Sequence, residues 1–419
     1  MAVTMSSTSS ISSNTSGETT EPTASGSVGE VFRVFLQLGL TSFGGPVAHL
    51  GYFRDELVVR RKWIDDASYL DLVALCQFLP GPASSQVGFS LGVLRANGLV
   101  GGLAAWLGFT MPSALILLAF ALGAAAFTGP VAEGVLHGLK LVAVAVVAQA
   151  IWGMSRTLTP DRRRAGIALA AIVVVLIVAS SLGQITAIVL GAVAGLGLCR
   201  GEAKAASGQL HFPVSRRRGI AALALFAALF VIPPIVSGGN QAVALFEAFY
   251  RAGTLVFGGG HVVLPLLQAE VITPHWVTNE TFLAGYGLTQ AMPGPLFTFA
   301  AYLGAVMQPP PNGIVGSAIA LVAIFLPGVL LVYGMLPFWD ELRSGQTMQA
   351  AMRGANAAVV GILGLALYNP IWTSAVLAPR DFALALGGFL LLTVWKVPPW
   401  IVVILLACSA TLLAATHYT

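Results

Sequence analysis

The amino-acid sequence predicts an all-α integral membrane protein built from two inverted-topology repeats. The prediction rests on composition, on long apolar runs and on an internal repeat. Hydrophobic residues make up 57% of the 419 residues and charged residues only 9%, whereas an ordinary soluble domain has roughly 25% charged residues. The composition therefore excludes a water-soluble fold and favours segments that lie in a bilayer.

Several apolar runs approach or reach the roughly 20 residues that a helix needs to cross the hydrocarbon core. Alternating strand patterns are absent from the sequence, and lipid tolerates only helices or closed barrels, so these spans are expected to be helical. In the first half, full spans are predicted near 99–127, 132–153, 165–181 and 184–199. A linking span is predicted near 219–236.

The repeat is visible in motifs that recur at a nearly constant spacing. Phe43-Gly44-Gly45 aligns with Phe257-Gly258-Gly259 at an offset of 214 residues. Offsets of 213 to 215 relate further pairs: Glu56 and Glu270, Gln77 and Gln290, Pro80-Gly81-Pro82 and Pro293-Gly294-Pro295, and Pro112 and Pro327. So small a drift indicates duplication of one unit, which is common in membrane transporters.

Glycine and proline interrupt the repeat at matching places. Proline removes a helix hydrogen bond and glycine permits a sharp turn, so 31–53 should break at Gly44-Gly45-Pro46 and 69–94 at Pro80-Gly81-Pro82. If each broken stretch folds back as a re-entrant hairpin, every strongly basic loop falls on one face. A single kinked crossing by 69–94 would instead put the basic loops at Arg60 and Arg163 on opposite faces.

Charge favours the hairpins and sets the orientation. Of the 21 Lys and Arg residues, 16 lie at or before Arg218, and the positive-inside rule places their loops in the cytoplasm. One linking span then inverts the second half, in agreement with the absence of Lys and Arg from 268–280. The amino terminus is predicted to be cytoplasmic and the carboxyl terminus extracytoplasmic.

The predicted organisation has four parts. They are a disordered Ser/Thr-rich tail over 1–29, an N-terminal repeat over 30–199, a basic cytoplasmic loop with the linking transmembrane helix over 200–240, and a C-terminal inverted repeat over 241–419. The tail is polar and lacks the basic start and apolar centre of a signal peptide.

The breaks are the candidate binding site. The second half-helix of each broken stretch begins with free backbone N–H groups and the positive end of its dipole, an arrangement that suits an oxyanion. The predicted substrate-binding residues are Phe43, Gly44, Gly45, Pro46, Gln77, Pro80, Gly81, Pro82 and Ser84, with Arg251, Gly258, Gly259, Gly260, Gln290, Pro293, Gly294, Pro295 and Thr298. The alternative is that these glycines and prolines only kink the spans and let helices pack closely.

Arg251 is the predicted fixed positive charge of the substrate path, because ionisable residues in lipid are costly and usually functional. It stands six residues before Phe257, and its repeat counterpart is Gln37. The alternative is that Arg251 pairs with Glu247, one helical turn away, or extends to the surface.

Three residues are candidates for coupling: Glu56, Glu270 and Lys140. The repeated glutamates could carry a proton if burial raised their pKa. The alternative is that Glu56, which has Arg54 and Arg60 as sequence neighbours, is only a solvated ion-pair partner. Lys140 opens an otherwise apolar span, and so does Arg353; both are equally explained as side chains that reach an interface.

The sequence "SFGGPVAHLGYFRDELVVRRKW", followed by "ALCQFLPGP" and "FTMPS", closely resembles the chromate ion transporter family. The motifs "FGGP", an acidic residue before "RRKW", and "QxLPGP" occur together and in order. The weaker second copy resembles the long, two-domain form of the family. The resemblance covers residues 30–415, which is nearly the whole chain.

The resemblance implies secondary-active efflux of chromate, a tetrahedral dianion, from the bacterial cytoplasm, which gives chromate resistance. The protein would lie in the cytoplasmic membrane and use the membrane potential or a proton gradient. Sulfate has a similar shape and charge, so a sulfate or other oxyanion carrier is the alternative. An intramembrane enzyme or an oxyanion sensor is a further alternative. No cofactor, metal or nucleic acid is expected, and a homodimer is left open.

Reporter fusions test the predicted topology. A reporter fused after Arg163 or Arg217 should be cytoplasmic, because both sites follow clusters of arginine, and one placed near Thr278 should be extracytoplasmic. Paired fluorescent-protein and alkaline phosphatase fusions measure the two locations. An extracytoplasmic signal after Arg217 would contradict the inverted arrangement.

Overall fold

The computed structural model describes residues 26–123, 129–178, 181–200, 212–236, 238–257, 260–339 and 346–415. These residues form helices and turns, and no strand occurs among them, as predicted. Most of the predicted tail, most of the basic loop before the linking helix, and both Gly258 and Gly259 lie outside the described residues.

The first half contributes eight described helices and is followed by the linking helix. They are α1 (Val28–Thr41), α2 (Gly45–Phe53), α3 (Asp66–Phe78), α4 (Ala83–Arg95), α5 (Leu99–Gly123), α6 (Pro130–Leu158), α7 (Arg162–Ile177), α8 (Ser181–Leu198) and the linking helix α9 (Arg216–Val236). A π-helical turn over Arg54–Arg60 extends α2.

The second half repeats this order of helices. They are α10 (Gln241–Thr254), α11 (Val263–Val271), α12 (Asn279–Thr289), α13 (Phe299–Val306), α14 (Gly313–Met335), α15 (Gln346–Ala366), α16 (Pro379–Thr393) and α17 (Pro399–Ala415). Single 3₁₀ turns over Gly260–Val262 and Leu296–Thr298 precede α11 and α13.

The helices end where glycine and proline predict an interruption. Gly44 and Gly45 have φ angles of 99° and 80°, and Gly81 and Gly294 have φ angles of 119° and 86°. These are left-handed conformations that glycine adopts without the steric cost of a side chain. Local chemistry therefore separates α1 from α2, α3 from α4, and α12 from α13.

Five described helices are long and apolar enough to cross a membrane: α5, α6, α9, α14 and α15, the last with its continuation to Ala375. Shorter apolar helices include α8 and α17. Large hydrophobic side chains are exposed on the outer faces, among them Ile177 of α7 and Ile235 of α9. Such surfaces suit contact with lipid acyl chains, and the chain is a multi-pass membrane protein.

Packing within each half follows one pattern. Helix α1 packs on α5, and α10 packs on α14 in the same way. Glycine allows both contacts, because a methyl group on Gly39 would lie 2.7 Å from the carbonyl oxygen of Gly108, and one on Gly253 would overlap that of Ile324.

Packing between the halves is reciprocal. Helix α6 of the first half packs on α17 of the second, and α15 of the second half packs on α8 of the first. The two halves are therefore interlocked rather than laid side by side.

Substitution of Gly253 by Ala should lower the stability of the protein by about 1–3 kcal/mol, because the added methyl group has no room between α10 and α14. The measurement is the melting temperature of the purified protein in detergent. Gly364→Ala in α15 is the matched control, since nothing lies within 4 Å of its added methyl group. Equal melting temperatures for the two variants would contradict the close approach.

Candidate functional site at the helix breaks

The breaks of the two halves are joined in crossed pairs. The N–H of Gly81, in the Pro-Gly-Pro turn of the first half, donates to the carbonyl oxygen of Val256 at 2.8 Å. The N–H of Gly294, in the second Pro-Gly-Pro turn, donates to the carbonyl oxygen of Ser42 at 2.8 Å. Each Pro-Gly-Pro turn is therefore held by the glycine-rich break of the other half.

Each of these turns also lies against the proline-containing long helix of the other half. A methyl group on Gly81 would lie 3.1 Å from Cα of Gly328, the residue after Pro327 in α14. A methyl group on Gly294 would lie 3.1 Å from Oγ of Ser113, the residue after Pro112 in α5. The repeated motifs therefore pack reciprocally, with the Pro-Gly-Pro turn of each half against the long helix of the other half.

His49 of α2 lies beside the crossing, the region where Gly81 meets Val256 and Gly294 meets Ser42. Only 1% of its surface is exposed, and its ring packs edge-on against Phe109 with the centroids 5.3 Å apart. Its Nδ1 lies 3.4 Å from Oγ of Ser84, in the first turn of α4. Its Nε2 has no hydrogen-bond partner among the described residues. The imidazole is therefore buried beside Ser42 and Ser84.

Further buried polar groups on α4 and α5, and directly after α1 and α12, are unpaired. The hydroxyl groups of Ser42, Ser85 and Thr110 and the amide nitrogen of Gln290 have no hydrogen-bond partner within the described part of the chain. A buried polar group without a partner costs about 1–3 kcal/mol, and native proteins keep few of them. Each of these groups can donate a hydrogen bond, so a ligand rich in acceptors would satisfy the set.

The second-half break is packed against the first-half break. A methyl group on Gly260 would lie 3.1 Å from Cγ of Pro46 and 3.3 Å from Cδ1 of Leu296. His261, the next residue, is already paired, because its Nδ1 lies 2.8 Å from the hydroxyl oxygen of Tyr286. The available donors are therefore concentrated on the first half, together with Gln290.

The predicted binding residues are only partly brought together. Pro46, Ser84 and Gly260 lie at the crossing, whereas Gln77, the counterpart of Gln290, is exposed. Phe43 packs instead on Trp400 of α17, with the ring centroids 6.4 Å apart. Thr298 donates to the carbonyl oxygen of Pro295 at 2.7 Å. Sequence reasoning missed Ser42, which directly precedes the "FGGP" motif, and His49, which lies three residues after it.

Arg251 is bound by two carboxylates. Its Nε and Nη2 donate to the two oxygens of Glu270 at 2.9 and 2.5 Å, and its Nη1 donates to Glu247 at 2.6 Å. The pairing with Glu247 is the alternative that the sequence left open. Arg251 and Glu247 also border a cavity of about 200 Å³. In this conformation three of the guanidinium donors are already engaged.

Glu56 is held by Arg60 and Arg61, with Nε of Arg61 2.6 Å from Oε1 of Glu56. The hydrogen bond from Arg60, with a smaller contribution from Arg61, keeps the pKa of Glu56 below its ordinary value. A carboxylate held ionised in this way is a weak candidate for a proton carrier near neutral pH. Lys140 is half-buried on α6 and has no ion-pair partner among the described residues.

Interrupted helices that meet inside a multi-pass helical protein are typical of membrane transporters. The sequence profile described as "Chromate transporter" matches residues 29–196 and again residues 243–412. The chain therefore belongs to the chromate transporter family, and the two matches confirm the predicted duplication. They also confirm the resemblance to the long, two-domain form.

The family assignment is supported by curated relatives. The chain is 28% identical over 392 residues to the chromate transport protein of Pseudomonas aeruginosa, covering 91% of this chain and 90% of the relative. It is 26% identical over 336 residues to the chromate transport protein of Cupriavidus metallidurans, covering 80% of each. An uncharacterized transporter of Methanocaldococcus jannaschii is 24% identical over 337 residues and covers 80% of this chain. No solved structure matches the chain.

Removal of the unpaired hydroxyl groups separates a binding role from a packing role. Ser85→Ala and Thr110→Val should leave the melting temperature unchanged or raise it, since each removes an unsatisfied buried group. Both should lower anion transport at least several-fold, because a donor to the ligand is lost. Transport is normalised to the amount of protein in the membrane.

The matched control is Ser90→Ala, which removes another buried, unpaired hydroxyl group from α4. Ser90 lies about a turn and a half beyond Ser84 along the helix, so its loss should leave transport unchanged. Wild-type specific transport in both Ser85→Ala and Thr110→Val would show that these hydroxyl groups have a packing role and no role in binding the anion.

Proposed function

We propose that this protein is a secondary-active exporter of chromate in the bacterial cytoplasmic membrane and confers chromate resistance. The observation that carries the proposal is the set of unpaired donors buried at the crossed breaks. A tetrahedral oxyanion presents acceptors in several directions and no donors, so it complements such a set. The names of the relatives supply chromate as the particular oxyanion.

The start of α4 adds positive potential to these donors. The helix begins at Ala83, with Ser84 and Ser85 in its first turn. The first N–H groups of a helix have no acceptor within it and carry the positive end of its dipole. Such a site stabilises an anion without a buried, fully charged side chain, which favours reversible binding.

The same chemistry admits sulfate as the alternative substrate. Sulfate and chromate are both tetrahedral dianions, so a set of neutral donors distinguishes them by size alone. We therefore expect sulfate to compete with chromate at one site. The relative rates of transport decide which anion is the main substrate.

The proposed mechanism is alternating access in a carrier built from two inverted repeats. Matching helix order, reciprocal packing of α6 on α17 and α15 on α8, and the concentration of basic residues in the first half support the inversion. Pro46 and Leu296 both border Gly260 in this conformation. Access from either side then requires these residues to separate.

We further place Arg251 and Glu270 on the substrate path as a coupled pair. Their bidentate contact has the geometry in which an oxyanion would bind the same guanidinium. The anion would therefore compete with Glu270 for Arg251, and a proton on Glu270 would favour the anion. This arrangement supplies a route for coupling to a proton gradient.

Uptake into inverted membrane vesicles tests the function directly. Energised vesicles that contain the protein should accumulate labelled chromate, and excess unlabelled sulfate should reduce the uptake. Preferential accumulation of sulfate would make the protein a sulfate carrier. An enzyme or a sensor would accumulate neither anion, and that result would overturn the proposal.

Substitutions of the Arg251 pair test its part in transport. Arg251→Gln should lose nearly all specific transport, whereas Arg251→Lys should keep some with weaker binding, because an ammonium lacks the planar fork. Glu270→Gln should lower the KM for chromate by about tenfold, since a charged competitor is removed.

Arg54→Gln is the control, because Arg54 forms an exposed ion pair with Asp66 away from the breaks and should transport normally. Transport is normalised to membrane protein level, which separates loss of function from loss of protein. Wild-type specific transport in Arg251→Gln would show that Arg251 and Glu270 form a structural ion pair with no part in transport.

A further inference from the structure

A basic cavity lies apart from the breaks, where the start of α7 meets the end of α8 and the side of α15. Its volume is about 490 Å³. Five arginines and one carboxylate line it: Arg162, Arg163, Arg164, Arg200 and Arg353, with Asp161. Arg353 comes from the second half of the chain and the other four arginines from the first.

The single carboxylate is already neutralised. Asp161 caps α7, where its Oδ1 accepts the N–H of Arg164 at 3.0 Å and its Oδ2 accepts Nε of Arg164 at 2.6 Å. Within the described part of the chain, the other four arginines of the cavity have no carboxylate partner. The cavity therefore holds an excess of positive charge.

Helix capping explains the position of these arginines but not their number. Arg200 donates to the carbonyl oxygen of Leu196 at 2.7 Å, Arg353 to that of Cys199 at 2.9 Å, and Arg163 to that of Leu198 at 3.3 Å. These carbonyl groups lie at the end of α8, where a helix leaves its last acceptors unpaired. Each guanidinium has five N–H donors, so most of the donors stay available.

The cavity adjoins a surface suited to acyl chains. Leu198 lines the cavity and is also 45% exposed. Large apolar side chains of α7 and α8 continue the exposed surface away from it, among them Leu169, Val173, Val189 and Val193. A free anion would use only the arginines, whereas a phospholipid would use the arginines and the apolar surface together.

We propose that this cavity binds the headgroup of an anionic phospholipid. Arginine pairs with phosphate through two parallel hydrogen bonds, and basic pockets between transmembrane helices bind such headgroups. Four arginines without a carboxylate partner favour a lipid with two phosphodiester groups, of the cardiolipin type, over a lipid with one. Because α15 belongs to the second half, the bound lipid links the two halves of the protein.

The experiment measures lipid binding to the purified full-length protein in detergent. Dissociation constants are determined for cardiolipin, phosphatidylglycerol and phosphatidylcholine, and inorganic phosphate is added as the competitor. Cardiolipin should bind most tightly, phosphatidylglycerol more weakly and phosphatidylcholine not measurably. The variants are Arg163→Gln and Arg353→Gln, with Arg217→Gln as an exposed control outside the cavity.

Each cavity variant should weaken cardiolipin binding by about fivefold, the usual contribution of one arginine near an anionic lipid, and Arg217→Gln should not. Arg163→Lys and Arg353→Lys retain the charge but lack the planar fork, so they should bind cardiolipin more tightly than the Gln variants and more weakly than the wild type. This rescue separates loss of charge from misfolding. Unchanged cardiolipin binding in both Gln variants would overturn the proposal. So would displacement of cardiolipin by inorganic phosphate at equal concentration, which would make the cavity a site for a free anion.

Discussion

A peptide group freed by a break in a helix must find a hydrogen-bond partner when no water is near, and this requirement organises the centre of the molecule. The chain meets it across the repeat. Gly81 donates to Val256, and Gly294 donates to Ser42. The close approach of each Pro-Gly-Pro turn to the long helix of the other half follows from these two bonds, because the turn has to reach into the opposite repeat.

The backbone and the side chains at the crossing differ in how fully they are hydrogen-bonded. The amide groups of the two central glycines are satisfied by the protein itself, whereas several side-chain donors around them are left unpaired. The charge of Arg251 is balanced by Glu247 and Glu270. Under the proposed function, an anion at the crossing would meet a set of neutral donors with a helix dipole behind one of them, an arrangement that favours reversible binding.

The sequence predicted the features that local chemistry determines. Proline and glycine end helices by their own geometry, so the interruptions at Gly44-Gly45 and Gly81 were predictable, and the repeat was visible because both copies keep them. The crossed pairing was not predictable, because Gly81 and Val256 are far apart in sequence and only tertiary packing brings them together. His49 was missed because the repeat comparison selects residues with a counterpart, and Val263 stands at its place in the second half. The contacts of Arg251 were partly predictable, because Glu247 lies one helical turn away. Whether Arg251 binds a ligand or two carboxylates depends on distances between side chains, which the sequence does not contain.

The crossed hydrogen bonds also bear on the mechanics of the protein. A body that moves as one piece and keeps the Gly81–Val256 bond intact contains parts of both repeats, and the same holds for the Gly294–Ser42 bond. The moving units of such a carrier then do not coincide with the duplicated units of its gene. A hinge at the linking helix α9, where the two copies join, would not separate the bodies that these two bonds define.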